Sequence, residues 1–127
     1  MSLRTPLGRV LGLGSAKEGV EHWWLQRLTS VALVPLGIWF VVSLATQPSL
    51  EHAAVVKWLG QSWTALLMLL FMLSVTWHSQ LGVRVVIEDY VHGGGKTAWL
   101  IASTFAHIVV AVIGVFAILK IAFGAAA

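Results

Sequence analysis

Trp77-His78-Ser79-Gln80-Leu81-Gly82-Val83-Arg84-Val85-Val86-Ile87-Glu88-Asp89-Tyr90 places a histidine inside an apolar segment and an Asp-Tyr pair where that segment meets water, eleven residues further on. An ionisable group at membrane depth is costly and marks a functional site by default. The surrounding chain sets that depth. From Trp63 to Leu81 the only ionisable group is His78, and two further apolar runs flank this one. Leu28 to Ala45 carries no charge, and Trp99 to Phe123 is interrupted by His107 and, near its end, Lys120. Each run is close to the roughly 20 residues that cross about 30 Å of hydrocarbon as a helix. Open strands would leave backbone groups unpaired in lipid. The chain is therefore expected to be an all-α membrane protein with three transmembrane helices.

Composition agrees. The 127 residues are 58% hydrophobic and 10% charged, against about 25% charged in a soluble domain. There is no cysteine, which excludes disulfides, thiolate metal sites and cysteine nucleophiles. The net charge of +3 is thinly spread; it orients the chain in a bilayer and gives no case for nucleic-acid binding. Residues 1–26 are expected to form a cytoplasmic N-terminal tail and residues 27–127 a three-helix transmembrane domain. The tail holds Arg4, Arg9 and Lys17 without the apolar stretch that a secretory signal requires. A mitochondrial presequence is the weaker alternative, since the first 17 residues carry no acid.

Thr46-Gln47-Pro48-Ser49 should end the first helix, Glu51 to Gly60 suits a short interfacial helix, and Gly93-Gly94-Gly95-Lys96 suits a turn. Pro35 is expected to kink the first span, because proline removes a helical hydrogen bond. Trp58, Trp63, Trp77 and Trp99 fall near span ends, as an aromatic belt would place them. Arg4, Arg9, Lys17, Arg27, Arg84 and Lys96 lie on one side of the spans, and Lys57 and Lys120 on the other. The excess puts the N-terminus in the cytoplasm and the C-terminus in the periplasm, with Asp89-Tyr90 on the cytoplasmic side.

A helix continuing to Asp89 sets His78 about 16 Å below that turn. Ser74 and Gly82, one turn away on either side, leave a flat notch beside the imidazole. Such a notch suits a broad planar ligand such as haem on an axial histidine, and equally a close helix crossing. His107, eleven residues past Lys96, lies at the same depth; it suits a second axial ligand or an interhelical hydrogen bond to Ser or Thr. Arg27 opens the first span and suits either a snorkelling anchor or a partner for a buried anion. Thr29 and Ser30 can bond to their own helix backbone, and Arg84 can pair with Glu88 one turn on. Asp89 and Tyr90 suit donation and proton relay to a lipid-soluble carbonyl, or a belt tyrosine beside a solvated acid. His52 and His92 are expected to be exposed and make no metal site.

His78-Ser79-x-x-Gly82 followed by Asp89-Tyr90-Val91-His92-Gly93, with Gln26-Arg27-Leu28-Thr29-Ser30-Val31-Ala32-Leu33 opening the first of three spans, resembles the small hydrophobic membrane-anchor (D) subunits of succinate dehydrogenase, complex II. The resemblance covers nearly the whole chain. It implies a non-catalytic subunit in a bacterial inner membrane that pairs with a second, cytochrome b-type anchor (C) subunit to hold haem b and a ubiquinone site. A flavoprotein with FAD and an iron–sulfur protein with its clusters would dock on the cytoplasmic face, and the mitochondrial inner membrane is the less favoured location. The resemblance gives His78 the place of the axial ligand to haem iron, the other coming from the partner. It sets Arg27 near the haem propionates, Tyr90 on a quinone carbonyl and Asp89 beside it, and gives His107 no role but structure. Three alternatives stay open: the anchor of a fumarate reductase, a cofactor-free scaffold, and a small transporter subunit with a histidine–carboxylate proton path.

Overall fold

The computed structural model describes residues 19–124 and Leu7. Most of the expected tail, with Arg4, Arg9 and Lys17, lies outside the described residues. About 89% of the chain's described part is helical, and none of it is strand. Among the described residues from Gly19 onward four helices follow one another: α1 Gly19–Ala45, α2 His52–Leu59, α3 Ser62–Tyr90 and α4 Gly95–Gly124. Three of them, α1, α3 and α4, are long and apolar enough to cross a membrane.

The helices outrun their apolar cores. At 1.5 Å per residue the 27, 29 and 30 residues of α1, α3 and α4 span roughly 40–45 Å. That exceeds the roughly 30 Å of hydrocarbon, so their ends reach into the headgroup region. At the start of α1, Glu21 in the first turn complements the positive helix end, and Trp23 and Trp24 meet edge to face at 5.1 Å. Nothing between Gly19 and Pro35 breaks the helix, so it begins ahead of the apolar run. It also continues through Pro35. In α3 the nine residues past Leu81 stay helical despite Gly82: none of them is proline, and Arg84 Nε donates to Glu88 Oε1 at 2.8 Å. The expected continuation of this helix to Asp89 is met.

α3 is the central element. It packs against both α1 and α4, while those two do not pack on each other among the described residues. Its buried side chains, Thr64, Ala65, Thr76, Leu81 and Ile87, make up most of the small core, with Ile118 of α4. Phe40 stacks on Phe71 at 5.0 Å between α1 and α3. α2 is the expected short helix, and its Trp58 stacks on Trp39 of α1 at 6.3 Å. The turn into α4 needs glycine at one point: Gly93 has φ +82°, a conformation that L side chains rarely adopt. Lys96 Nζ donates to the Glu88 carbonyl at 2.8 Å, which satisfies one of the open carbonyls at the end of α3.

Most large apolar residues face outward, among them Val31, Val34, Ile38 and Val41 along one stripe of α1. In water such a surface would be untenable; in a bilayer it meets lipid or a partner helix. α3 and α4 approach closely at Gly114, where an added Cβ would collide with the Met72 side chain. Rotating Met72 can make room for a methyl group but not for a β-branched side chain. Gly114→Val is expected to destabilise the α3–α4 pair by ~1–3 kcal/mol. Detergent-induced unfolding of the reconstituted chain reads this directly, and an unshifted transition would contradict the crossing.

Candidate functional site

Successive residues on an α-helix point about 100° apart, so a helix packed between two others can send neighbouring side chains to different partners. α3 does this at its middle. His78, two residues past the midpoint Thr76, is half-buried and faces α1. Ser79 faces α4.

On the α1 side both nitrogens of the His78 ring are engaged. Nδ1 lies 2.9 Å from Thr29 Oγ1 and Nε2 lies 3.2 Å from Gln26 Nε2. Gln26 and Thr29 are three residues apart and share a face of α1. Thr29 Oγ1 also lies 2.8 Å from the Leu25 carbonyl and 3.1 Å from that of Gln26, and Ser30 Oγ donates to the Gln26 carbonyl at 2.8 Å. The expected bonding of Thr29 and Ser30 to their own backbone is therefore present, and Thr29 adds an interhelical contact. Gln26 Oε1 is buried without a partner, a state that costs about 1–3 kcal/mol. Beside the ring, a Cβ on Gly82 would meet nothing within 4 Å. The notch expected there is open space.

On the α4 side, His107 Nε2 lies 3.2 Å from Ser79 Oγ, and its Nδ1 donates to the Ser103 carbonyl at 2.8 Å. This is the expected interhelical bond to a serine. Gln80 Nε2 donates to Thr104 Oγ1 at 3.4 Å one turn nearer the Gly93 turn. His78 and His107 thus lie on different sides of α3, each bonded to a different neighbouring helix.

The remaining expected site residues stand apart from His78. Arg27 is exposed, with its guanidinium 5.4 Å from the Trp23 ring centre, a cation–π contact. Asp89 and Tyr90 end α3 and are exposed, Tyr90 by 79%. The Tyr90 carbonyl accepts from His92 Nδ1 at 3.2 Å. Twelve residues of helix separate Tyr90 from His78, roughly 18 Å along the axis. Among the described residues no ion pair links Arg27, Asp89 or Tyr90 to one another; the one ion pair is Arg84–Glu88. No cluster of three or more His, Asp or Glu could hold a bare metal ion among the described residues.

A groove of about 510 Å³ opens between α1, α3 and α4. Its walls include His22, Trp77, Gln80, Arg84 and His107, but none of Arg27, His78, Asp89 or Tyr90. Gln26 and Thr29, the partners of His78, belong to no site motif in the sequence. The available signal was a polar stripe, His22, Gln26 and Thr29 with Ser30, at helical spacing along one face of α1. Ser79 and His107 should be energetically coupled. A double-mutant cycle with Ser79→Ala and His107→Leu is expected to give about 0.6 kcal/mol, the usual size for a hydrogen bond between membrane helices. Additive effects would mean that the pair contributes no interaction energy.

Comparison with known proteins points one way. Residues 1–119 match the family described as succinate dehydrogenase/fumarate reductase transmembrane subunit. The succinate dehydrogenase hydrophobic membrane anchor subunit of Paracoccus denitrificans is 32% identical over 121 residues, covering 95% of this chain and 94% of that one. The subunit of the same name from Rickettsia conorii is 32% identical over 100 residues, covering 76% and 79%. The succinate dehydrogenase membrane anchor subunit of Reclinomonas americana is 34% identical over 80 residues, covering 61% and 67%.

Proposed function

The chain belongs to the succinate dehydrogenase/fumarate reductase transmembrane subunit family and has the role of a succinate dehydrogenase membrane anchor; from that premise we propose that it holds haem b through His78 and completes a ubiquinone site with Tyr90 and Asp89. The observation that carries the proposal is the His78 imidazole, held near the middle of α3 with Nδ1 against Thr29 Oγ1. Ligating histidines characteristically bond through the second ring nitrogen to a protein oxygen, which fixes ring and tautomer. Nε2 would then be the ligating atom, and the Gln26 side-chain nitrogen lies 3.2 Å from it. Open space at Gly82 leaves room beside the ring. His78 would hold the haem iron from this chain, and a second histidine would come from the cytochrome b-type C subunit.

Haem b, when bound, supplies one-electron redox capacity at membrane depth, with a potential set by its axial ligands and surroundings. Arg27 is the group on this chain for the propionates, since its planar fork matches a carboxylate and it sits one residue from Gln26. Tyr90 donates from its phenol to a quinone carbonyl, and the neighbouring Asp89 carboxylate supports the proton supply. Both groups lie where α3 leaves the apolar region, so a lipid-soluble quinone reaches them from the bilayer and protons reach them from water. That end faces the cytoplasm under the lysine and arginine asymmetry, and there the iron–sulfur and flavoprotein subunits dock, carrying the clusters and FAD. The bacterial relatives support a bacterial inner membrane. Their names, all of succinate dehydrogenase, favour succinate oxidation over fumarate reduction.

One observation favours a cofactor-free scaffold: both nitrogens of His78 already have partners within the chain. Activity separates the two readings. In the complex purified through this chain, Tyr90→Phe is expected to slow succinate-driven quinone reduction about tenfold, the scale of one hydrogen bond to the substrate. Succinate oxidation by an artificial acceptor and haem content should be unchanged. Undiminished quinone reduction would remove Tyr90 from the site. Arg27→Ala is expected to lower haem retention, and unaltered haem content and midpoint potential would dismiss the propionate role.

A further inference from the structure

The contacts around His78 also determine which ring nitrogen carries the proton. A threonine hydroxyl has one hydrogen, whereas a backbone carbonyl only accepts. Thr29 Oγ1 lies 2.8 Å from the Leu25 carbonyl, 3.1 Å from the Gln26 carbonyl and 2.9 Å from His78 Nδ1. If the hydroxyl donated to Nδ1, it would face both carbonyl oxygens with lone pairs alone. If it donates to the Leu25 carbonyl, Nδ1–H donates to Oγ1, and both the 2.8 Å and the 2.9 Å contacts become donor–acceptor pairs. A neutral ring then keeps its lone pair on Nε2. That atom lies 3.2 Å from the Gln26 amide nitrogen, which is a donor. Turning the amide over would set Oε1 against the lone pair. The orientation that matches the ring is the one that leaves Oε1 buried and unpaired.

We infer that Thr29 locks His78 as the Nδ1–H tautomer and that the Gln26 amide is a displaceable cap on Nε2, occupying the position that a metal centre must take. Thr29 and Gln26 are positioning residues acting through His78. The lock presents the lone pair on the outer ring nitrogen before any cofactor arrives. The cap gives that lone pair a partner in the meantime, so the half-buried ring is not left unsatisfied in the seam between α1 and α3. The cap is also the member of the network best able to yield. It hangs on a flexible stem and has one amide atom without a partner, whereas Thr29 is tied to its own helix. The identity of the displacing group, haem iron, rests on the function proposed above; the tautomer and the cap do not.

The test uses the complex purified through this chain, depleted of haem and held in lipid nanodiscs, with ¹⁵N-labelled histidine in this chain and the His78 signals identified by their loss in His78→Gln. Ring-nitrogen shifts distinguish protonated from unprotonated sites. Haem is then titrated into the wild type, Gln26→Leu and Thr29→Val, with circular dichroism confirming that each variant is folded. The expected result is a proton on Nδ1 in the wild type and in Gln26→Leu, with the preference lost in Thr29→Val. Gln26→Leu should bind haem roughly five-fold more tightly, the weight of one ordinary hydrogen bond no longer competing. A proton on Nε2 in the wild type overturns the inference, because Gln26 would then accept from the ring. Haem binding no tighter in Gln26→Leu overturns the cap. If haem binds none of the three while Nδ1 carries the proton, the haem assignment fails and the tautomer lock stands.

Discussion

An imidazole carried into hydrocarbon must find partners for both of its nitrogens, and this chain has two to provide for near the middle of its bundle. His78 is provided for by α1, through Thr29 and Gln26. His107 is provided for by Ser79 of α3 and by its own helix. Because α1 and α4 do not pack on each other among the described residues, α3 is what holds the bundle together. The two histidine contacts fix the sides of α3 that meet each neighbour. With little hydrophobic gain from helix association inside lipid, close packing and hydrogen bonds between helices decide such arrangements. The Gly114–Met72 crossing supplies the first and the histidines much of the second.

The same arrangement divides the work proposed for the chain by depth. One helix, α3, carries His78 near its midpoint and Asp89-Tyr90 at its end. A haem and a quinone bound at these positions are separated along a single rigid rod by roughly 18 Å of helix axis. The ion pair of Arg84 with Glu88 and the contact of Lys96 with the Glu88 carbonyl stiffen the rod where it leaves the bilayer. Tyr90 is left exposed, and the apolar stripe on α1 from Val31 to Val41 has no cover from the described residues. Both are positions at which a membrane anchor meets lipid or other subunits.

Much of this was legible from residue order. Three charge-poor runs of the right length indicated three spans, and Arg84 with Glu88 at helical spacing indicated their pair. The ends of the spans were harder. Hydropathy reports where lipid stops, whereas a helix stops where a breaker or an unsatisfied end makes it stop, so α1 reaches back to Gly19 and α3 runs on to Tyr90. The partners of His78 were harder still. Thr29 was expected to bond only to its own backbone, and it does so, but its oxygen has capacity for a second contact that only the α1–α3 packing discloses. Gln26 lay in the very segment that carries the family resemblance, yet a glutamine at a helix entrance has no distinctive signature. Its role depends on which residue α3 places opposite.

The imidazole between α1 and α3 is proposed as a ligand to iron. A dithionite-reduced minus oxidised spectrum of the complex purified through this chain, recorded beside His78→Gln, addresses it most directly. A b-type spectrum in the wild type that is lost or strongly altered in the variant is the result this account requires. Identical spectra in the two would move the ligand off His78 and contradict it.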